Sequence, residues 1–416
     1  MMMTPRQLEL LPTYVAHLDS KMLPNAVAVA DIDGDDVNDF IFGTMDGMII
    51  ILKITASDRL VKWMERRVRG CVTSIYVDNK YGSEPRIFVA TAAGCCYVFQ
   101  GAEMSDEFRP SSEIRVPLSV CDVVVHRGRL LVGAREGAII MFSPQTTEIT
   151  GFRLESTFEV GEEIESFVTL EDSTAPLHGR LIVRCASGRL LELDIGPDDE
   201  LAARATAGAV ASRGAVTDGA APFLVSSLHS KGKTDLVACG SIKGRIDVLS
   251  PMTDVVWSYE ITEGVVGIDK LPITEHDDAV VVGTWGGEVH VVQDPEHVVT
   301  FRMLLPMASM HCVSMSSTST ERALIAISTS GTVAIYRNLT CVLNSALNDQ
   351  PLSELLASIE RIQTKINTEK KRKAVVEKLR ARGDLAANPK LAALLDKKKT
   401  TVEDLVRIAT AAEWSV

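Results

Sequence analysis

Four regularly spaced aspartates form the strongest candidate for chemistry in this chain of 416 residues. The run reads Asp-Ile-Asp-Gly-Asp-Asp-Val-Asn-Asp, and the aspartates at its first, third, fifth and ninth positions are Asp31, Asp33, Asp35 and Asp39. Carboxylates at this spacing surround a tight turn and supply the oxygen ligands that Ca²⁺ prefers. The sequence therefore predicts either no cofactor or one structural calcium ion at this run.

Two features of the run favour a turn without a metal. The sixth position of a calcium loop is usually glycine because the turn needs a positive φ, and here that position is Asp36. The matching segments elsewhere keep only fragments of the pattern, such as Asp78-Asn79-Lys80. Aspartates in such a turn can instead accept hydrogen bonds from backbone amides. The sequence is compatible with a calcium-binding loop and with a metal-free turn.

The aspartate run belongs to a strand-turn-strand unit that recurs along most of the chain. The turn of each unit ends in a glycine, and these glycines are Gly47, Gly94, Gly137, Gly188, Gly244, Gly287 and Gly331. Their spacing is 43 to 56 residues. Seven units of this length, each with a few short strands, predict an all-β fold, a seven-bladed β-propeller. Even spacing disfavours the alternative, a pair of β-sandwiches, and the chain lacks the Trp-Asp dipeptide of WD repeats.

We assign residues 21–340 to the propeller and residues 1–20 to a segment whose strand, Thr13–Leu18, pairs beside the last blade and closes the ring. Two interruptions stand out within the propeller. Residues 101–115 form an acidic connector, and residues 196–221 are rich in small residues, which indicates a surface loop.

A helical tail is predicted for residues 350–416, with a basic amphipathic helix over 350–382 and short helices to residue 414. We expect the tail to bind partners through an apolar seam and a basic cluster, which are Leu352, Leu355, Ile359, Ile362, Ile366, Lys370, Lys371, Arg372 and Lys373. The seam is too short for a stable coiled coil alone. A solvated helix, or one that docks on its own propeller, is the alternative.

The charge is divided unevenly along the chain. The net charge is −12, but the residues from Leu352 onward carry 14 basic and 9 acidic side chains, which leaves −17 for the rest. An acidic propeller repels nucleic acid and anionic membranes, so peripheral membrane contact would have to occur through the tail. No apolar run is long enough to span a bilayer, and the N-terminus lacks a secretory h-region. We therefore expect an intracellular, cytoplasmic protein.

The sequence shows no recognisable catalytic constellation. Its eight histidines are scattered, and it contains no nucleophile elbow and no phosphate-binding loop. We expect no enzymatic activity. A hydrolase with a site in the central channel is the alternative, because propeller enzymes assemble their sites from distant blades.

The aspartate run and the strand that follows it, Asp31–Gly43, resemble the FG-GAP repeat of integrin α-subunit propellers. The resemblance is sharpest in two units, and it covers Leu23–Lys53 in the first and Val256–Ser258, Val281–Gly287 and Val298–Arg302 in the sixth. A propeller followed by a helical tail is also similar to the Bardet-Biedl syndrome propeller subunits of the ciliary cargo coat.

The FG-GAP resemblance implies a non-enzymatic scaffold or adaptor subunit of an intracellular complex. The intracellular members of that family include a subunit of KICSTOR, a nutrient-signalling complex at the lysosomal surface. The second resemblance implies a structural subunit of a cilium or flagellum, either BBSome-like or axonemal. A third possible function, suggested by the aspartate run, is that of a calcium-dependent binding module. In the first two cases the expected partners are other protein subunits, not nucleic acid.

Overall fold

The computed structural model describes residues 6–79, 85–100, 109–144, 151–170, 180–187, 189–195, 201–205, 223–230, 233–250, 254–274, 277–303, 305–316, 321–340 and 343. Within these residues the strands form seven sheets. The first two strands, β1 (Arg6–Leu8) and β2 (Tyr14–His17), are short and precede the first blade.

Each of the first four blades is an antiparallel sheet of four consecutive strands. Blade 1 contains β3 (Met22–Ala30), β4 (Asp39–Thr44), β5 (Met48–Ile54) and β6 (Leu60–Arg67). Blade 2 contains β7 (Val72–Asp78), β8 (Arg86–Thr91), β9 (Cys95–Gln100) and β10 (Ser112–Arg115). Blade 3 contains β11 (Val120–His126), β12 (Arg129–Ala134), β13 (Ala138–Pro144) and β14 (Phe152–Glu159). Blade 4 contains β15 (Ile164–Leu170), β16 (Arg180–Cys185), β17 (Leu190–Ile195) and β18 (Leu201–Ala205).

The last three blades complete the ring, and two of them include strands from the N-terminal segment. Blade 5 contains β19 (Phe223–Ser230), β20 (Lys233–Gly240), β21 (Arg245–Ser250) and β22 (Asp254–Glu260). Blade 6 contains β23 (Val265–Pro272), β24 (Asp278–Thr284), β25 (Glu288–Asp294) and β26 (His297–Arg302), with β1 beside β26. Blade 7 contains β27 (Met307–Ser314), β28 (Arg322–Ser328) and β29 (Thr332–Tyr336), with β2 as its outer strand.

The first strand of each blade lies at the centre of the ring. These inner strands contact one another in the order β3, β7, β11, β15, β19, β23 and β27, and β27 contacts β3 again. The second strand of a blade is buried on both faces, and Asp39–Thr44 and Asp278–Thr284 are buried along their whole length. This environment explains why those strands are continuously apolar. The all-β, seven-bladed propeller predicted from the repeat is confirmed.

The repeat glycines have a physical role at the turns. Six of them lie within the described residues, and all six have a positive φ, from 80° at Gly94 to 103° at Gly244. A β-carbon at Gly244 would overlap the carbonyl oxygen of Ile261. These turns therefore need glycine both for their backbone conformation and for the close approach of the next connection.

The N-terminal segment joins the ring at two places. Tyr14–His17 pairs antiparallel with β29, beside the last blade. Arg6–Leu8 pairs parallel with β26 and adds a fifth strand to blade 6. This second pairing was not predicted from the sequence.

Two segments differ from their sequence assignment. Leu201–Ala205 lies in the small-residue segment assigned to a loop, but it forms β18, because strand pairing uses backbone groups and needs no large side chains. Ser112–Arg115, assigned to an acidic connector, forms β10 for the same reason. Residues 196–200 and 206–221 lie outside the described residues.

The chain divides into two compact units, Met1–Leu347 and Asn348–Val416. The second unit contains the predicted tail and lies outside the described residues, and so do the seam and the basic cluster from Leu352 to Lys373. Among the described residues, no helix is long and apolar enough to cross a bilayer.

Candidate functional site

The aspartate run forms the loop between β3 and β4, and backbone amides occupy much of its carboxylate capacity. Asp31 accepts hydrogen bonds from the amides of Gly34 at 2.8 Å, Asp35 at 3.2 Å and Asp36 at 2.9 Å. Gly34 and Asp36 both have a positive φ, of 76° and 67°. Asp36 thus adopts the conformation that a calcium loop usually assigns to glycine. Asp31 therefore stabilises the conformation of the loop through backbone hydrogen bonds.

A lysine from β5 supplies a positive charge to the same loop. The Nζ of Lys53 forms ion pairs with Asp33 and with Asp35, the second at 2.9 Å. The same ammonium group lies 5.0 Å from the ring centroid of Trp63. Lys53 therefore balances two of the four carboxylates that the sequence proposed as calcium ligands.

Asp39 is the most enclosed member of the loop. It is fully buried, its Oδ2 accepts the amide of Ile32 at 3.2 Å, and its Oδ1 has no hydrogen-bond partner among the described residues. Burial raises the pKa of Asp39 to about 7, and the Ile32 amide opposes this shift. One ligand atom from each of Asp31, Asp33 and Asp39 lies within 4.8 Å of the others. This donor set fits a hard cation, but the cation would have to displace the ammonium group of Lys53.

Polar side chains on the inner strands connect different blades. Asn25 of blade 1 donates from Nδ2 to the carbonyl oxygens of Cys121 in blade 3, at 3.3 Å, and Glu165 in blade 4, at 3.4 Å. Ser74 of blade 2 donates to Asp122 of blade 3 at 2.6 Å, and Asp122 accepts the Phe167 amide of blade 4 at 2.8 Å. These groups are engaged in contacts between blades.

Three histidines that are partly or fully inside the fold lie in separate blades. His311 in β27 is half-buried with an enclosed Nε2 atom, and burial lowers its pKa to about 4. His290 in β25 contacts the Tyr259 hydroxyl at 3.2 Å, and His126 is buried in β11. The fold does not bring these three residues together, because they belong to blades 7, 6 and 3.

We define the turn face as the face formed by the turns between the second and third strands of the blades and by the connections to the next blade. The two kinds of segment contact each other directly, as in the hydrogen bond from the Trp285 amide to the Gly264 carbonyl at 2.9 Å. Five of the exposed large hydrophobic side chains lie on this face, and they are Met45, Leu118, Ile242, Trp285 and Leu305.

Three of these side chains lie on neighbouring segments of blades 5 and 6, and we name them the Trp285 patch: Ile242, Trp285 and Leu305. Trp285 is 52% exposed. A β-carbon on Gly264 would lie 2.8 Å from Cδ1 of Trp285 and 3.6 Å from the Ile242 carbonyl oxygen. A β-carbon on Gly287 would lie 2.9 Å from the Leu305 carbonyl oxygen. Gly264 and Gly287 therefore allow the three segments that carry these side chains to approach one another closely. The Trp285 side chain remains half-exposed to solvent.

Solved structures share this architecture. One is BBS1N, solved in complex with ARL6DN, with a TM-score of 0.58 and 18% identity over 80% of this chain and 97% of that chain. This chain has the fold of that propeller. Sqt1 of Saccharomyces cerevisiae has a TM-score of 0.52 and 12% identity over 80% of this chain and 99% of its own. A chain of the Mitotic Checkpoint Complex has a TM-score of 0.54 and 11% identity over 78% of this chain and 91% of its own.

Sequence comparison gives no corresponding relationship. No protein-family model matches the chain, and no curated protein matches it. Since the structural likenesses have low identity, they establish the seven-bladed fold alone.

The Trp285 patch was not identified as a site from the sequence. Trp285 entered the sequence analysis only as part of the FG-GAP resemblance, and Ile242 and Leu305 did not enter it. The available signal was an apolar residue two positions before the repeat glycine, as in Trp285-Gly286-Gly287 and Ile242-Lys243-Gly244. A residue at that position of a tight turn points away from the sheet, so an apolar side chain there is exposed.

Proposed function

We propose that this chain is a non-enzymatic scaffold subunit that binds protein partners through the surface of its propeller. The observation that carries this proposal is the Trp285 patch on the turn face. Apolar side chains scattered singly are normal on a protein surface, whereas three exposed apolar side chains on adjacent segments, one of them a half-exposed tryptophan, are typical of an interaction site.

Physical properties of the patch suit a protein partner. Tryptophan has a large apolar surface and an indole N–H that can donate a hydrogen bond, so it contributes strongly when a partner covers it. The turn that carries Trp285 is fixed by the hydrogen bond to Gly264 and by the positive φ of Gly287. A rigid turn loses little conformational freedom on binding, which favours affinity.

The structural neighbours support the class of function. BBS1N was solved in complex with ARL6DN, and another similar propeller belongs to the Mitotic Checkpoint Complex. Propellers of this architecture thus occur in protein assemblies.

For the assembly itself, we propose a KICSTOR-like role in nutrient signalling at the lysosomal surface. This proposal rests on the FG-GAP resemblance, which includes a likeness to integrin-α FG-GAP repeat-containing protein 2. The C-terminal seam and basic cluster would supply a second attachment to partner subunits. A BBSome-like or axonemal role in a cilium or flagellum is the alternative, and the likeness to BBS1N favours it.

Affinity purification of the full chain tests this proposal when wild type is compared with three variants. Trp285→Ala removes the patch side chain, and Met45→Ala is its matched control because Met45 is 47% exposed at the equivalent turn of blade 1. The third variant lacks residues 352–416. We expect Trp285→Ala to lose at least one partner that Met45→Ala retains, with an unchanged melting temperature.

Retention of every partner by Trp285→Ala, or isolation of the chain as a catalytically active monomer, would contradict the scaffold proposal. Partners that depend on the tail are those absent from the truncated variant. Mass spectrometry of the retained proteins separates the two assemblies, because lysosomal regulators favour the first and ciliary or axonemal proteins favour the second.

A calcium-dependent binding module is a second candidate, favoured by the buried and unpartnered Oδ1 of Asp39 beside Asp31 and Asp33. In this case chelation lowers the melting temperature of wild type, and Asp33→Ala lowers it without further response to chelation. Equal melting temperatures with and without chelator would eliminate this candidate.

A further inference from the structure

An apolar groove separates the outer edges of blades 2 and 3. It has a volume of about 760 Å³. One wall is the edge strand β10, and the other is formed by β13 and β14. Its apolar lining consists of Ile114, Ile140, Phe142, Phe152 and Leu154, and the charged side chains Glu113 and Arg115 also line it. Leu154 is 57% exposed.

The chain itself fills the corresponding groove between blades 6 and 7. There β1 pairs parallel with the outer strand β26, and Leu8 lies opposite Phe301. Leu8 and Leu10 then pack against the apolar cluster that contains Phe301 and Tyr336. An extended segment with leucines two positions apart therefore occupies one groove of this kind in the molecule.

The two grooves match position by position. Ile114 pairs with Cys96, two residues after the turn glycine Gly94, and Phe301 pairs with Val289, two residues after Gly287. Ile114 is thus the blade 2 equivalent of Phe301. Positions in blades 3 and 7 can be matched by their distance from the turn glycines Gly137 and Gly331. Ile140 and Ala334 each lie three residues after the glycine, and Phe142 and Tyr336 each lie five residues after it. Tyr336 belongs to the apolar cluster against which Leu8, Leu10 and Ala334 all pack.

We propose that the groove between blades 2 and 3 binds an extended peptide segment of a partner protein, which adds to blade 2 as a fifth strand parallel to β10. Backbone hydrogen bonds to the outer edge of β10, which pairs only with β9 among the described strands, provide the pairing, as in other cases of strand addition. An apolar side chain of the peptide lies opposite Ile114, where Leu8 lies opposite Phe301. A second apolar side chain two positions further on covers Phe142 and Leu154.

The charge of the protein restricts the occupant further. Glu113 and Arg115 contribute one charge of each sign to the groove lining, and Glu113 accepts a hydrogen bond from Cys95 Sγ at 3.0 Å. The chain before Leu352 carries a net charge of −17. The complementary segment is therefore apolar at two alternate positions and basic in its flanks, as β1 is with Arg6 before Leu8.

The probe for this site is a fluorescein-labelled peptide with the sequence of residues 5–12, and its binding to the full chain is measured by fluorescence anisotropy. Leu154→Lys places a charge in the groove at an exposed position. Val255→Lys is the matched control, because Val255 occupies the same position in blade 5 as Leu154 does in blade 3. Leu154 pairs with Phe142, five residues after Gly137, and Val255 pairs with Leu249, five residues after Gly244. Val255 is also 47% exposed.

We expect Leu154→Lys to weaken peptide binding by about tenfold or more and Val255→Lys to leave it unchanged. A peptide with Leu8→Asp and Leu10→Asp should not bind. Hydrogen exchange locates the site, because bound peptide should slow exchange of the amides of Ser112–Val116.

Three outcomes would overturn the proposal. A peptide that does not bind indicates a groove filled by another segment of this chain. Equal binding to both variants, or protection at Val299–Phe301 instead of β10, indicates exchange with β1 at blade 6. Self-association that is lost in Leu154→Lys, measured by sedimentation, indicates that a second copy is the occupant. The scaffold function is tested separately, because Trp285→Ala leaves this groove intact.

Discussion

The backbone N–H of Leu18 donates to the Gly331 carbonyl oxygen at 3.1 Å, at the point where the N-terminal segment meets the last blade. Gly331 has a φ of 86°, and a β-carbon there would overlap the carbonyl oxygen of Ser20. The ring is thus closed by a contact that only glycine permits. This makes Gly331 a sensitive position for the stability of the whole propeller.

Gly331→Ala should lower the free energy of unfolding by about 3 kcal/mol, of which about 1 kcal/mol comes from the positive φ and the rest from displacement of Ser20. Gly128→Ala is the matched control, because Gly128 has a φ of 77° but open space around a β-carbon. It should cost about 1 kcal/mol. Urea unfolding measures both, and equal losses would show that the contact with Ser20 is unimportant.

Asp122 should make stability depend on pH. Its carboxyl lies between three blades, and burial raises its pKa to about 6, although the Ser74 hydroxyl and the Phe167 amide oppose the shift. Because the folded pKa exceeds the unfolded value, the folded state binds the proton more tightly, and stability falls as pH rises from about 4 to 6. Between pH 5 and pH 7.5 wild type should lose about 1.4 kcal/mol relative to Asp122→Asn.

This difference between two proteins removes the contribution of the other titrating groups. Urea unfolding at several pH values gives the two curves. Parallel curves for wild type and Asp122→Asn would mean that the carboxyl titrates near its ordinary pKa in the folded protein.

Lys53 should compete with calcium for the aspartate loop. Its ammonium group forms ion pairs with Asp33 and Asp35, so Lys53→Met leaves two carboxylates without their positive charge. We expect millimolar calcium to raise the melting temperature of Lys53→Met more than that of wild type. Calorimetry with calcium, with magnesium and with chelator measures the effect. An identical response in both proteins would indicate that the cation does not enter this loop.

The fold followed from the sequence because the propeller depends on local features that repeat. The turn glycine and an apolar second strand recur in every unit at a spacing of 43 to 56 residues, so errors in single strands do not change the architecture. Strands β10 and β18 were missed because Ser-Glu-Ile-Arg and Leu-Ala-Ala-Arg-Ala carry no distinctive strand pattern. Their pairing depends on the neighbouring strand in the blade.

The candidate sites were less accessible from the sequence, for two physical reasons. Lys53 is 20 positions from Asp33 in the chain, and only the hairpin of β4 and β5 brings its ammonium group to the loop. The groove beside Leu154 arises from residues of two blades, and its likeness to the groove filled by Leu8 depends on the parallel pairing of β1. Relationships of this kind are not encoded in residue spacing within one segment.

Arg337 should stabilise the closed ring through charged hydrogen bonds. Its Nε lies 3.0 Å from Oε1 of Glu321 in blade 7, and its Nη1 lies 2.9 Å from the Tyr14 hydroxyl and 2.8 Å from Asp58 in blade 1. The Arg337 side chain is only 22% exposed, whereas that of Asp58 is 69% exposed, so the pair with Glu321 contributes most.

Arg337→Ala should therefore lower the free energy of unfolding by about 2 kcal/mol, because Glu321 loses its partner in a partly buried site. Arg337→Lys should recover only part of this loss, since an ammonium group cannot reproduce the planar fork that reaches Glu321 and Tyr14 together. Arg67→Ala is the surface control: Arg67 pairs with Asp46 at 3.6 Å in an exposed position, and its loss should have little effect. A double-mutant cycle with Glu321→Ala separates the pair from lost packing, and a coupling energy near zero would disprove a stabilising role for this ion pair.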